Sequence, residues 1–232
     1  MNFEETLISG ELIKRYKRFF VDVKIGNNIV KAHCPNTGSM MGLLKKGNKV
    51  WLSKTDDPKR KLKYTLQIIE DQNTKVGVNT HLTNKIVFDA LNDSIIKKFK
   101  KSIEIKKEVK FGENTRFDFL INEGTKKSFI EVKNVTLSRR KGVAEFPDAV
   151  TSRGLKHLKE LIKAREKGYQ IYLLYVIQRE DCNIFEPAKD IDPEYCEFLA
   201  KVVKKKLNIL CYDCKFLTKG IKLNREIDVK IK

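Results

Sequence analysis

Asp118, Glu131 and Lys133 have the residue types and spacing of a divalent-metal site for cutting phosphodiesters. Hard cations such as Mg²⁺ take oxygen ligands, commonly one or two carboxylates completed by waters and substrate phosphate. Two acids side by side on a sheet repel each other unless a cation lies between them. Glu131 and Lys133 are two apart and so share one face of a strand, while Val132 points the other way, into a core. A lysine there can hold an attacking water or stabilise charge on the phosphorane, and the cation, Mg²⁺ or Mn²⁺, would activate the water and polarise the phosphate. The same residues also fit a surface hairpin with scattered charges, because D…ExK recurs by chance.

A hairpin must position these groups. Thr115-Arg116-Phe117-Asp118-Phe119-Leu120-Ile121 alternates like a strand, and Ser128 to Val135 reads as a second one. Asn122-Glu123-Gly124-Thr125 between them is turn chemistry, with Gly124 able to take positive φ. If Gly124-Thr125 is a two-residue loop, Asp118 falls opposite Glu131, with Cβ atoms roughly 5 Å apart. A slip of one residue would put the two acids on opposite faces, so the register carries the inference.

Composition narrows the partner. The 232 residues are 41% hydrophobic, which is globular and enough for one large or two small domains. A net charge of +18 points to a polyanionic partner. A membrane surface is the competing explanation, but no basic amphipathic helix or lipidation signal supports it. The longest apolar run, Ile171 to Ile177, is too short to span a bilayer. Glu4 and Glu5 close behind Met1 do not suit a signal peptide, so a cytoplasmic protein is expected. Five cysteines, an odd number, argue against a disulfide framework. Cys211 and Cys214 could join Cys182 and Cys196 at zinc, but the latter two lack paired spacing, so buried and edge-strand thiols are expected.

Along the chain, residues 1–80 look all-β. Short strand-like runs at Leu12, Phe19 to Lys24, Ile29 to Ala32, Lys49 to Leu52, Leu62 to Glu70 and Lys75 to Val78 suggest a small closed barrel of the OB type. Residues 81–232 read as α/β. Thr83 or Asn84 caps a helix carrying Ile86, Val87 and Leu91 inward, and the hairpin follows. Next come a basic loop at Arg139-Arg140-Lys141 and a helix from Thr151 to Lys167 ended by Gly168. A buried strand from Tyr169 to Ile177 precedes a helix capped by Asp192-Pro193 and a strand from Leu207 to Tyr212.

The chain resembles the sugar fermentation stimulation protein A (SfsA) family over nearly its whole length. The resemblance is carried, in order, by Arg15-Tyr16-Lys17-Arg18-Phe19, Ala32 to Met40, Pro58 to Tyr64, Val76 to Thr80, Arg116 to Phe119, Glu131 to Thr136 and Phe146 to Thr151. It implies an N-terminal OB-like barrel followed by a PD-(D/E)xK nuclease-like α/β domain. It also implies DNA binding and a link to regulation of sugar metabolism. Asp118 then matches the motif aspartate, preceded here by Phe117, while Pro147-Asp148 lies after Glu131 and is a decoy. The superfamily often adds an acid from the first helix; Asp89 is the candidate third metal ligand, or else a solvated helix charge.

Two basic clusters are candidates for DNA contact. Arg15, Lys17 and Arg18 interleave with aromatics, and Lys59, Arg60, Lys61 and Lys63 precede Tyr64. Phe19 and Phe20 are expected in the core. His33 and Cys34 are adjacent on an extended segment, where neighbouring side chains point apart, which disfavours a dyad. His157 and Arg153, one turn apart, either face the cleft or are exposed. Two functions follow: a DNA-binding, metal-dependent endonuclease, or a non-enzymatic DNA-binding regulator with an idle nuclease fold; RNA as the target is a third reading, since OB folds bind either.

Overall fold

In the first third of the chain, runs that alternate buried and exposed residues wrap into a barrel. The computed structural model describes residues 1–99, 104–113 and 115–231. Its first strands are β1 (Ile8–Tyr16), β2 (Phe20–Ile25), β3 (Asn28–His33), β4 (Lys49–Lys54), β5 (Tyr64–Asp71) and β6 (Thr74–Gly77). They follow the order β3-β2-β1-β4-β5-β6, and a parallel pairing of β3 with β5 closes the first five into a ring. Closure removes the sheet edges and fills the interior with Leu12, Val21, Val23, Val50, Leu52 and Leu66. This is the OB-type barrel expected from the sequence.

The rest is a mixed α/β layer structure. A 3-10 turn (Thr80–Leu82) leads into α1 (Thr83–Asn92). Asn79 caps that turn by accepting from the His81 amide, whereas Thr83 and Asn84 lie inside the helix rather than capping it. Then come β7 (Glu104–Phe111), β8 (Thr115–Glu123), β9 (Lys126–Val135), β10 (Leu137–Arg140), β11 (Val143–Phe146) and α2 (Ser152–Glu166). The chain continues through β12 (Gln170–Ile177), β13 (Ile184–Pro187), α3 (Pro193–Lys204), β14 (Asn208–Leu217), β15 (Gly220–Glu226) and β16 (Asp228–Val229). The expected basic loop at 139–141 is therefore part of the β10–β11 hairpin.

The main sheet runs β15-β14-β12-β9-β8-β7, and a smaller one runs β10-β11-β13-β16. β12 lies parallel between β9 and β14, which is why its sequence is apolar on both faces. One face packs with Leu158, Leu161 and Leu199 of α2 and α3. The other packs with Ile86, Val87 and Leu91 of α1. Asp192 caps α3 through the Tyr195 amide, with Pro193 in the first turn, as expected. No helix among the described residues is long and apolar enough to cross a membrane.

Barrel and α/β body are joined by a polar seam. Ser39 Oγ and the Met40 amide of the barrel donate to the Asp148 carboxylate at 3.2 and 3.0 Å. The buried Arg179 guanidinium donates to Asp71 of β5 at 3.0 Å and to Asp181 and the Thr136 carbonyl. The Gly77 amide bonds the Gln178 carbonyl, and a Cβ at Gly77 would collide with the Gln178 side chain. Residues 1–3 leave the barrel: Asn2 bridges Gly220, and Phe3 bonds Lys219.

Candidate metal and nucleic-acid site

The β8–β9 hairpin has the register that the sequence implies. Glu123 pairs with Lys126 around a Gly124-Thr125 turn, Gly124 has φ +64°, and the ladder runs to Phe119 opposite Ile130. One further step sets Asp118 across from Glu131. There the backbone ladder gives way to side chains: Asp118 Oδ2 accepts from the Val132 amide at 2.7 Å. Its Oδ1 accepts from Asn84 Nδ2 of α1, also at 2.7 Å. Glu131 is 3% exposed, and its Oε1 accepts from Lys133 Nζ at 2.7 Å and contacts His157 Nδ1 of α2. Its other oxygen, Oε2, is fully buried without a hydrogen-bond partner.

The two acids sit in opposed electrostatic states. Burial pushes the Asp118 carboxyl up, the neighbouring Glu131 charge adds to this, and the result is about 6. Burial also works against the Glu131 carboxylate, but the Lys133 charge and the bond to His157 outweigh it and hold the group below its usual range. One carboxylate is thus fixed as an anion, while the other would gain from any cation placed beside it. The orphaned Glu131 oxygen and the strained Asp118 charge both suit a divalent cation. Among the described residues no three His, Cys, Asp or Glu side chains form a ready-made cage. A cation held by Asp118 and Glu131 would therefore complete its shell from solvent and phosphate, as Mg²⁺ commonly does.

An open cleft of about 790 Å³ exposes this chemistry. Asp118 and His157 line it with Asn84, Arg116, Arg153 and His81. His157 and Arg153 thus do face it. Thr151 sets the start of their helix by accepting from the Gly154 amide at 3.0 Å. Asp89 is not brought to the site. It follows Asn84 by five positions, roughly 140° around the helix, and pairs instead with the Met1 ammonium at 3.0 Å. Asn84 takes the inward place on α1. The sequence signal that singles out Asn84 is its one-turn spacing from Phe88 and Val87 on the packed side.

The basic clusters fall on two barrel loops. Lys17 and Arg18 are exposed at the β1–β2 turn, with φ of 47° and 61°. Lys59, Arg60, Lys61 and Lys63 occupy the β4–β5 loop. His33 pairs with both Phe20 and Thr65, which brings the two loops to the same end of the barrel. Arg60 donates to Thr65 at 2.9 Å and Lys63 to the Asp57 carbonyl at 2.8 Å, while Lys59 and Lys61 are exposed. Arg15 is engaged within the protein: its guanidinium donates to the carbonyls of Arg18, Asn36, Gly38 and Ser39 and holds the seam loop together. Phe19 is 45% exposed rather than in the core, and Phe20 stacks on Tyr16 at 5.7 Å with Lys31 above.

Cys34 turns into the barrel core away from its neighbour His33, and all five cysteines are buried and free.

Comparison with known proteins agrees with this architecture. The family described as "Sugar fermentation stimulation protein RE domain" matches residues 81–220, and "SfsA N-terminal OB domain" matches residues 13–78. The chain is 56% identical to a sugar fermentation stimulation protein homolog of Pelagibacter ubique, covering 99% of both chains. A homolog from Maricaulis maris is 42% identical, over 100% of this chain and 99% of the other. A solved structure described as Pyrococcus furiosus SfsA in complex with Ca²⁺ superposes with a TM-score of 0.90 at 25% identity, covering 100% of this chain and 98% of that one. The chain belongs to the sugar fermentation stimulation protein family.

Proposed function

We propose that this protein binds nucleic acid, DNA foremost, and cleaves its phosphodiester backbone at a divalent-cation site formed by Asp118 and Glu131. The observation that carries the reading is the electrostatic coupling of Asp118, which lines the cleft, to Glu131 and Lys133 behind it, with a buried Glu131 oxygen left unpartnered. Asp118 and Glu131 would hold Mg²⁺ or Mn²⁺; the Ca²⁺ complex of the Pyrococcus relative supports a divalent ion in this family. Such an ion, when bound, lowers the pKa of water and neutralises phosphate charge.

The protein's own groups do the rest. Lys133, side chain 11% exposed, sits where it can fix a water or offset charge on the reacting phosphate. His157 and Lys133 both orient Glu131. Arg116 and Arg153 on the cleft wall suit the flanking phosphates. The β1–β2 and β4–β5 loops are the pair with which OB barrels engage oligonucleotides, so Lys17, Arg18, Lys59, Arg60, Lys61 and Lys63 are assigned to strand binding. We divide the chain into a binding barrel, residues 1–80, and a catalytic unit, residues 81–232. A cytoplasmic location is part of this reading, and the free thiols suit it.

The test is incubation of purified protein with single-stranded, duplex and branched DNA, and with RNA, each with Mn²⁺ or EDTA. Cleavage by the parent that disappears in Lys133→Ala supports the reading. Equal cleavage by Lys133→Ala would remove the catalytic assignment. Tight, salt-sensitive DNA binding with no cleavage and no calorimetric uptake of Mn²⁺ would instead identify a non-enzymatic regulator.

A further inference from the structure

The site is wider than a carboxylate pair. β7 is the edge strand of the main sheet, and its ladder with β8 pairs Lys107 with Phe119 and Val109 with Phe117. Between those two pairs, Glu108 stands across from Asp118. On the far side of β8 the register stands Asp118 across from Glu131. Three acids therefore lie in a row over three neighbouring strands, an arrangement that like-charge repulsion disfavours. What separates Glu108 from Asp118 now is the Asn84 amide, which donates to Glu108 Oε1 at 3.3 Å and to Asp118 Oδ1 at 2.7 Å. Positive charge on that nitrogen is only partial, and the longer of the two bonds is near the limit for a hydrogen bond.

Glu108 carries a second mark. Its φ is +52°, in the left-handed region that a non-glycine residue seldom adopts. The side chain so placed is exposed and lines the same cleft as Asp118 and His157. At the far end of the row the Glu131 oxygen is buried and without a partner, the sign of a ligand already noted for the central pair.

We infer that Glu108 is a third carboxylate of the cation site, on the opposite flank of Asp118 from Glu131. This rests on the metal-site reading above and extends it. The three acids do not close on a common point in this arrangement; the Asn84 amide occupies the gap that a cation between Glu108 and Asp118 would take. A site with acids on both flanks of Asp118 binds a cation more tightly than the central pair alone and draws it toward the open cleft, where phosphate arrives.

The experiment is calorimetric titration of Mn²⁺ into the full chain and into Glu108→Gln, Glu104→Gln and Asp118→Asn, all in 150 mM salt. Glu108→Gln keeps the shape and the acceptor for Asn84, so a purely structural role would not move the result. Glu104→Gln removes the same charge from the same strand, away from Asp118, and controls for long-range attraction. The expected result is about tenfold weaker Mn²⁺ binding in Glu108→Gln, the size of effect seen when groups around a metal are lost, with little change in Glu104→Gln. Binding in Glu108→Gln within twofold of the parent, or weakened no more than in Glu104→Gln, overturns this inference and leaves the central site standing. Absence of Mn²⁺ binding by the parent overturns both.

Discussion

Replacing Asp118 by asparagine should make the metal-free protein more stable while destroying its response to divalent ions. Raising the Asp118 carboxyl from 3.8 to about 6 disfavours its charged form in the fold by about 3 kcal/mol. The sign follows from linkage. The folded-state value lies above the unfolded one, so the penalty is absent below about pH 4, grows to about pH 6 and is complete above it. Asparagine carries no charge to bury. Its oxygen can still accept from the Val132 amide, and its NH₂ can face the Asn84 oxygen once that amide turns over. Allowing for imperfect repacking, the net gain at pH 7.5 should be about 1–3 kcal/mol, or about 2–4 °C in melting temperature per kcal/mol for a chain of this size. Calorimetric melting of both proteins in metal-free buffer at pH 7.5 and pH 4 measures it. The variant should melt higher at pH 7.5, the gap should shrink at pH 4, and Mn²⁺ should raise the melting point of the parent alone. A variant that melts below the parent at pH 7.5 without metal would refute the reasoning, because Asp118 would then be a structural acid rather than a frustrated one.

The two arginine roles in the barrel separate by salt. Lys17→Ala with Arg18→Ala should weaken DNA binding and flatten the logarithmic salt dependence by about 2, whereas Arg15→Ala should lower the melting temperature and leave the slope unchanged. Burial pushes the Glu145 carboxyl up, but the Arg139 hydrogen bonds outweigh it and hold it low. Its stabilisation is therefore present above the ordinary carboxylate range and fades as pH falls through the folded-state value; Glu145→Gln should cost about 1–3 kcal/mol at pH 7 and nothing at pH 2, read by urea melts. Burial pushes Cys182 to about 11 and Cys196 to about 12, so the native protein should react with a thiol reagent far more slowly than the denatured chain, which should titrate all five cysteines.

The hairpin was legible because everything that sets it is local. A two-residue turn with a glycine at positive φ and a period-two pattern determine which acid faces which. The barrel and the buried β12 were legible for the same reason: strand period and apolar continuity are short-range signals. The helix acid was misplaced because the sequence does not say which position along α1 meets the hairpin; Asn84, in the first turn, is the one that reaches Asp118. Asp89 is claimed instead by the Met1 ammonium, a contact that no local pattern signals. Glu108 lies among Glu104, Lys106, Lys107 and Lys110, a charge-rich stretch whose pattern says only that an edge is exposed. Arg15 differed from Lys17 and Arg18 because its partners, carbonyls at 36 to 39, come from a distant loop that folds back on it. Phe19 left the core because a three-residue connection between Tyr16 and Phe20 lifts it out.

The Asp148 clamp has a practical corollary. It sits three positions ahead of the Thr151 cap, on the lead-in to the helix that presents His157 and Arg153, so the barrel grips the wall of the cleft by its handle. Cutting the chain into halves would strip that carboxylate of its donors and leave Arg179 without Asp71. Neither fragment should then keep the posture it has in the whole, and dissection by truncation would report on damage at the cut surfaces before it reported on what each half does alone.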